Sequence, residues 1–211
     1  MISEQTPSNA KPHDSNARLM LAVQANDAFA FEELTSRNQS RVCAYLQRLV
    51  GNLQLAEDLT QEVFTRVYKH RSSYRQEARF STWLYRIAHN VASNALRAKS
   101  RRPEALFSVV SAGSSSSSVG IEDEILAQSG ATPTRQLARA EIQEIVLAAV
   151  NSLCENQREA VVLKRFENKS YQEIAEIMDL TPKAVKSLLH RAHCNLKEAL
   201  TPYVQSGRRP Q

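Results

Sequence analysis

Along two long stretches of this chain the apolar residues recur every three or four positions, and nowhere do they alternate. Leu84, Ile87, Ala88, Val91 and Ala95 make one stripe, and Val185, Leu188, Leu189, Ala192 and Leu196 make another, the period of an amphipathic α-helix. A half-buried strand would alternate between its two faces, and no segment does. The pattern predicts an all-α protein. Its first half resolves into helices over about 18–35, 38–50, 53–70 and 81–99, with Gly51 as a helix stop and Ser81 as an N-cap.

Breakers divide the chain. Most of the seven prolines and five glycines fall outside the periodic stretches. Residues 1–17 lack an apolar period and read as a disordered tail. Residues 103–136, with Pro103, Gly113, the serine run 114–118, Gly120, Gly130 and Pro133, have the composition of a flexible linker. Two small helical domains result, 18–102 and 137–202, followed by a tail over 203–211.

The second domain carries a local signal with a mechanism. Ser170-Tyr171-Gln172-Glu173 is a capping box, in which hydroxyl and carboxylate satisfy each other's backbone donors, so a short helix starts there and runs to about 178. Thr181-Pro182 then places an N-cap before a proline at the first helical position, where its missing N–H is harmless. Short helix, tight turn and longer helix make a helix-turn-helix, with Ile174, Ala175, Met178, Leu180, Val185 and Leu188 as the expected buried seam. Lys183, Lys186, Ser187, His190, Arg191 and Cys194 fall on the opposite side, the face that a recognition helix offers to a DNA major groove. The plainer alternative is a helical hairpin with an incidental basic side.

Charge sharpens the first domain. The net charge of +5 suits a polyanionic partner but is common among proteins; its distribution says more. Residues 21–70 hold five Lys/Arg against six Asp/Glu, whereas residues 71–102 hold eight against one. Tyr74, Phe80, Trp83 and Tyr85 cluster within the basic stretch, although the whole chain has only six Tyr, six Phe and one Trp. Flat rings beside cations are a stacking platform for single-stranded bases. Phe80 and Trp83 are equally suited to closing a core. Opposite the apolar stripe stand Arg86, His89, Asn90, Asn94 and Arg97, donors for phosphates and base edges.

Three segments in order, Glu57-Asp58-Leu59-Thr60-Gln61-Glu62-Val63-Phe64, Phe80-Ser81-Thr82-Trp83-Leu84-Tyr85-Arg86-Ile87-Ala88-His89-Asn90 and Val185-Lys186-Ser187-Leu188-Leu189-His190-Arg191-Ala192, resemble the extracytoplasmic-function class of bacterial RNA polymerase sigma factors. The resemblance covers both domains and leaves out tail and linker. It implies that residues 18–102 correspond to the family's region 2, with Asp58, Gln61 and Glu62 docking on the core polymerase. It also implies that Tyr74, Arg75, Phe80, Ser81, Trp83, Arg86, His89, Asn90, Asn94 and Arg97 engage and melt the −10 element. Residues 137–202 then correspond to region 4, reading the −35 element through Lys183, Lys186, Ser187, His190 and Arg191. Leu188 and His193 stand where many relatives carry basic residues. The implied partners are core RNA polymerase and promoter DNA, with an anti-sigma factor as a further candidate.

Other classes fit less of the chain. A free-standing helix-turn-helix regulator would use residues 170–197 and leave the acidic and aromatic segments unexplained. An enzyme is the weaker alternative: there is no phosphate-binding G-x-x-x-x-G-K-[ST] loop, no G-x-G-x-x-G after a strand and no H-E-x-x-H. Three widely spaced cysteines, Cys43, Cys154 and Cys194, indicate neither disulfides nor a zinc knuckle, and point to a reducing cytoplasm. His190 and Cys194 lie four apart but lack two further ligands, so no metal and no cofactor is expected. No apolar run is long enough to span a membrane, and no signal-peptide core is present.

Overall fold

The computed structural model describes residues 14–76, 79–101, 142 and 145–206. Every regular element among them is helical. The elements are α1 (Ser15–Gln24), α2 (Ala28–Val50), α3 (Leu53–Lys69), a 3₁₀ turn (Arg71–Ser73), α4 (Phe80–Arg101), α5 (Glu155–Arg165), α6 (Tyr171–Met178) and α7 (Pro182–Ser206). A further helical stretch over 145–151 precedes α5. The expected linker lies outside the described residues.

The first helices divide differently from the sequence-based expectation. α1 begins at Ser15, inside the expected tail, because the Asp14 carboxylate caps it, accepting from the N–H groups of Asn16 at 3.1 Å and Ala17 at 3.3 Å. The chain breaks at Asn26, whose φ of 66° is left-handed, and Asp27 caps α2 through the Ala30 N–H. α2 then runs without interruption through the position expected to separate two helices. It buries Ala30, Leu34, Asn38, Val42, Tyr45, Leu46 and Leu49, a stripe continuous across Ser36 and Arg37, so nothing there stops it. Gly51 ends α2 with φ 72°, the left-handed conformation in which glycine carries no Cβ penalty. At the far end α7 continues to Ser206, so residues 203–206, expected in the tail, are helical.

α1 to α4 pack around Met20, Val23, Leu34, Tyr45, Leu46, Val63, Phe80 and Leu84, and α5 to α7 around Leu163, Ile174, Ile177 and Val185. The two groups share one continuous core. α4 packs against α6, and α2 against α5. Gln24 pins the 3₁₀ turn, donating to the carbonyls of Arg71 at 2.7 Å and Tyr74 at 2.9 Å, which sets the approach to α4.

A candidate polymerase and promoter interface

Three faces carry the candidate residues. On α3, Asp58 and Gln61 are exposed, one turn apart. Glu62 is half-buried and its carboxylate takes the Arg66 guanidinium at 2.7 Å, whereas Asp58 and Gln61 stay exposed. Buried Ala56, Thr60, Val63 and Phe64 hold the opposite side of α3 against the core. Glu57 and Gln61 also line a groove of about 960 Å³ that continues past Arg41 and Arg48 of α2 to Glu167 and Asn168.

α4 divides its candidates. Arg86, Asn90, Asn94 and Arg97 are exposed, and their spacing of four, four and three puts them on one side of the helix. Arg97 reaches back to the Ser93 carbonyl at 3.1 Å and the Asn94 side chain at 3.3 Å. Arg75 is exposed just before the helix. The rings behave otherwise. Phe80 is fully buried and Tyr74 nearly so, and they meet edge to face at 5.9 Å. Neither offers a face to a base in this arrangement, although both were expected in the DNA-contacting set. Burial, with the Asp14 charge adding to it, raises the Tyr74 pKa to about 12, as suits a core hydroxyl. Trp83 is half-buried, packed against Tyr74 at 5.3 Å and Phe80 at 6.1 Å, and these two rings support it from below. Ser81 lies within α4 rather than capping it. The α4 start is instead capped from a distance: the Phe80 N–H donates to the other Asp14 oxygen at 3.1 Å.

The helix-turn-helix forms from its capping signals. Ser170 Oγ accepts from the Glu173 N–H at 3.2 Å while the Glu173 carboxylate accepts from the Ser170 N–H at 2.8 Å. Burial raises the Glu173 pKa, but those bonds and the charges of Lys169 and Arg79 outweigh it and hold the carboxyl below its ordinary value. Asp179, at φ 54°, turns the chain, and Thr181 Oγ1 caps α7 through the Ala184 N–H. Ile174, Ala175, Met178 and Val185 form the buried seam, with Leu188 packed partly against it. Leu180, expected there, is 39% exposed, because the left-handed turn rotates it outward. Lys183, Lys186, Ser187, His190 and Arg191 are all exposed on α7. His190 and Cys194 approach to 3.9 Å, and no group of three or more His, Cys, Asp or Glu among the described residues is placed to hold a metal. No described helix is long and apolar enough to cross a membrane.

Sequence reasoning missed one polar layer. Glu159 of α5 is buried, accepts the Tyr45 hydroxyl at 2.5 Å and meets His89 Nδ1 at 2.6 Å. Glu167, in the turn after α5, is buried too and accepts the Tyr85 hydroxyl and, at 3.1 Å, Arg41. Lys169 donates to Ser81 Oγ at 2.6 Å, and Arg158 to the Leu49 carbonyl at 3.0 Å. One signal was available. On the α5 wheel Glu159 falls between Val162 and Leu163, inside the apolar arc, where a carboxylate needs a partner.

Two family models match this chain. A family model described as Sigma-70 region 2 matches residues 34–102, and one described as Sigma-70, region 4 matches residues 143–192. The RNA polymerase sigma-H factor of Pseudomonas aeruginosa is 32% identical over 200 residues, covering 92% of this chain and 98% of the relative. The ECF RNA polymerase sigma-E factor of Haemophilus influenzae is 34% identical over 184 residues, covering 87% and 94%. Among solved structures, the sigma factor RpoE of Bartonella quintana in complex with the anti-sigma factor NepR shares the fold, with TM-score 0.59 at 24% identity over 81% of this chain and 96% of that one. With both family regions present in order and the relatives matched nearly end to end, this chain belongs to the extracytoplasmic-function class of sigma-70 RNA polymerase sigma factors, which direct the polymerase to its promoters.

Proposed function

We propose that residues 18–102 dock on core RNA polymerase and open the −10 element, and that residues 137–202 read the −35 element, joined by a linker over 103–136. On α3, Asp58 and Gln61 form the docking patch, with Glu62 steadying the helix through Arg66. On α4, Arg86, Asn90, Asn94 and Arg97 track the phosphates and base edges of the non-template strand, with Arg75 at its upstream end. Trp83 is the stacking ring, and Tyr74 and Phe80 hold it in place. A flipped base costs a few kcal/mol, which one stack of about 1–3 kcal/mol plus phosphate contacts offsets. Ser81 and His89 complete that surface. Lys183, Lys186, Ser187, His190 and Arg191 enter the −35 major groove. The protein acts in the cytoplasm through binding rather than catalysis, and an anti-sigma factor, as for the Bartonella quintana protein, is its candidate restraint.

The observation that carries this reading is the exposed donor stripe on α4 in the same chain as the exposed outward face of α7. Run-off transcription tests it: core polymerase with and without the protein on a pool of the host's upstream DNA, with transcripts sequenced at their 5′ ends. New starts sharing two spaced upstream motifs are expected. No new starts, together with duplex binding by the protein alone, would favour a free-standing regulator.

A further inference from the structure

A second flat surface lies at the far end of the loop that leads into α4, and the promoter contacts assigned above leave it unused. Tyr68, on the last turn of α3, is 42% exposed. Its ring rests against Phe31 of α2, centroids 5.0 Å apart, and the Arg71 guanidinium lies over it, 4.3 Å from the centroid. Arg71 is held there from two sides. It donates to the Tyr68 carbonyl and to Asn26 Oδ1, each at 2.9 Å. Asn26 sits between α1 and α2 at φ 66°, a left-handed conformation that asparagine enters more readily than most residues. Gln24, two positions earlier, grips the same 3₁₀ turn by the carbonyls of Arg71 and Tyr74. The end of α1 and the turn after it therefore fix one guanidinium on one ring.

We propose that Arg71, laid on Tyr68, is a second stacking site for an unpaired base of the non-template strand, separate from Trp83. The inference rests on the assignment of strand opening to α4. A cation at the C-terminus of α3 would be stabilising there with no further role, but three features go beyond that. A guanidinium is planar and weakly hydrated, so once fixed flat it stacks on a base much as an aromatic ring does. Holding it in advance removes the side-chain entropy that a free arginine would lose on binding. Its two hydrogen bonds leave further N–H donors at the rim for a phosphate. The neighbours suit the same ligand. Lys69, His70 and Arg75 are exposed, and no Asp or Glu occurs from residue 63 to residue 76. The nearby Asp27 carboxylate is engaged at the start of α2. Tyr74, whose carbonyl Gln24 holds, is also the ring against which Trp83 packs at 5.3 Å, so both stacking surfaces depend on one support. Stacking tolerates any base, so this site adds hold on the opened strand rather than promoter code.

The test uses holoenzyme, core polymerase with the full chain, and a fluorescein-labelled non-template oligonucleotide extending to both sides of a −10 element mapped by run-off transcription. Each position in turn is made abasic and the Kd measured. In the parent, two positions should matter beyond the others, each by roughly ten-fold, the scale of one stacked base. Trp83→Ala should abolish the penalty at one of them and Arg71→Ala at the other. Arg71→Lys keeps the charge without the plane, so it should lose the penalty at that second position while retaining the parent's dependence on salt. Arg37→Ala, at an exposed pair with Glu33, removes a cation elsewhere and should change neither position. If Arg71→Ala melts early through its lost bond to the end of α3, Asn26→Gly releases the guanidinium instead. Glycine suits φ 66°, so that variant should melt with the parent and still reduce the penalty at the second position several-fold. Profiles of the Arg71 and Asn26 variants identical to the parent's would overturn the second site. So would an equal loss at every position, which marks a structural role alone. If the Trp83-dependent position survives, the failure is confined to Arg71; if no position answers to Trp83→Ala either, the assignment of strand opening to α4 fails with it.

Discussion

Asp14 offers a quantitative check on how the promoter-facing helix is positioned. One of its oxygens accepts from two N–H groups at the start of α1, and the other accepts from the Phe80 N–H at the start of α4. One side chain therefore caps two helices whose starts lie 65 residues apart in sequence. A lost cap costs about 1 kcal/mol, and a carboxylate near a helix N-terminus adds about 0.3–1 kcal/mol. Asp14→Ala should then lower stability by about 2–3 kcal/mol, and Asp14→Asn, which keeps one acceptor oxygen, by about half as much. For a chain of this size each kcal/mol moves the midpoint by roughly 2–4 °C, so the alanine variant should melt about 4–12 °C lower. Urea unfolding followed by circular dichroism gives the free energy, with the slope as a check that the transition is unchanged in character. A loss under about 0.5 kcal/mol for Asp14→Ala would refute the double cap.

Four further outcomes are expected. Trp83→Ala should leave polymerase binding nearly intact while impairing open-complex formation; undiminished permanganate reactivity of unpaired thymines would contradict the stacking role. Phe80→Ala, at a fully buried ring, should instead unfold the first half, losing about 3–5 kcal/mol in thermal melts. Lys186→Glu should weaken transcription that depends on the −35 element, and an equal loss on a promoter with that element scrambled would argue against groove contact. Alkaline pH should destabilise the folded protein. Burial first, then the neighbouring carboxylates, push the Tyr45 and Tyr85 pKa values well above the ordinary value of 10.0. Above about pH 10 the unfolded chain therefore loses protons that the folded protein keeps, and stability falls as pH rises. Melting temperature against pH should decline there for the parent and less steeply for Tyr45→Phe, Tyr85→Phe.

What the sequence by itself determined is what a few neighbouring residues settle among themselves. The capping box at Ser170 and Glu173, the left-handed stop at Gly51 and the Thr181-Pro182 start of α7 each close their hydrogen bonds within three or four positions, so their chemistry is visible locally. The exposed faces of α4 and α7 followed from helical period alone. Tertiary structure decided the rest, because the deciding partner lay far along the chain. Tyr74 and Phe80 looked as available as Trp83, and only packing with α1 and α3 drew them into the core and left the indole at its edge. Asp14 looked like part of a tail until α4 brought its first N–H within reach, 66 residues away. Glu159 and Glu167 are tolerable inside only because tyrosines, a histidine and an arginine from α2 and α4 arrive to meet them. A buried carboxylate is costly or useful according to its partner, and at those positions the partner came from the opposite half of the molecule.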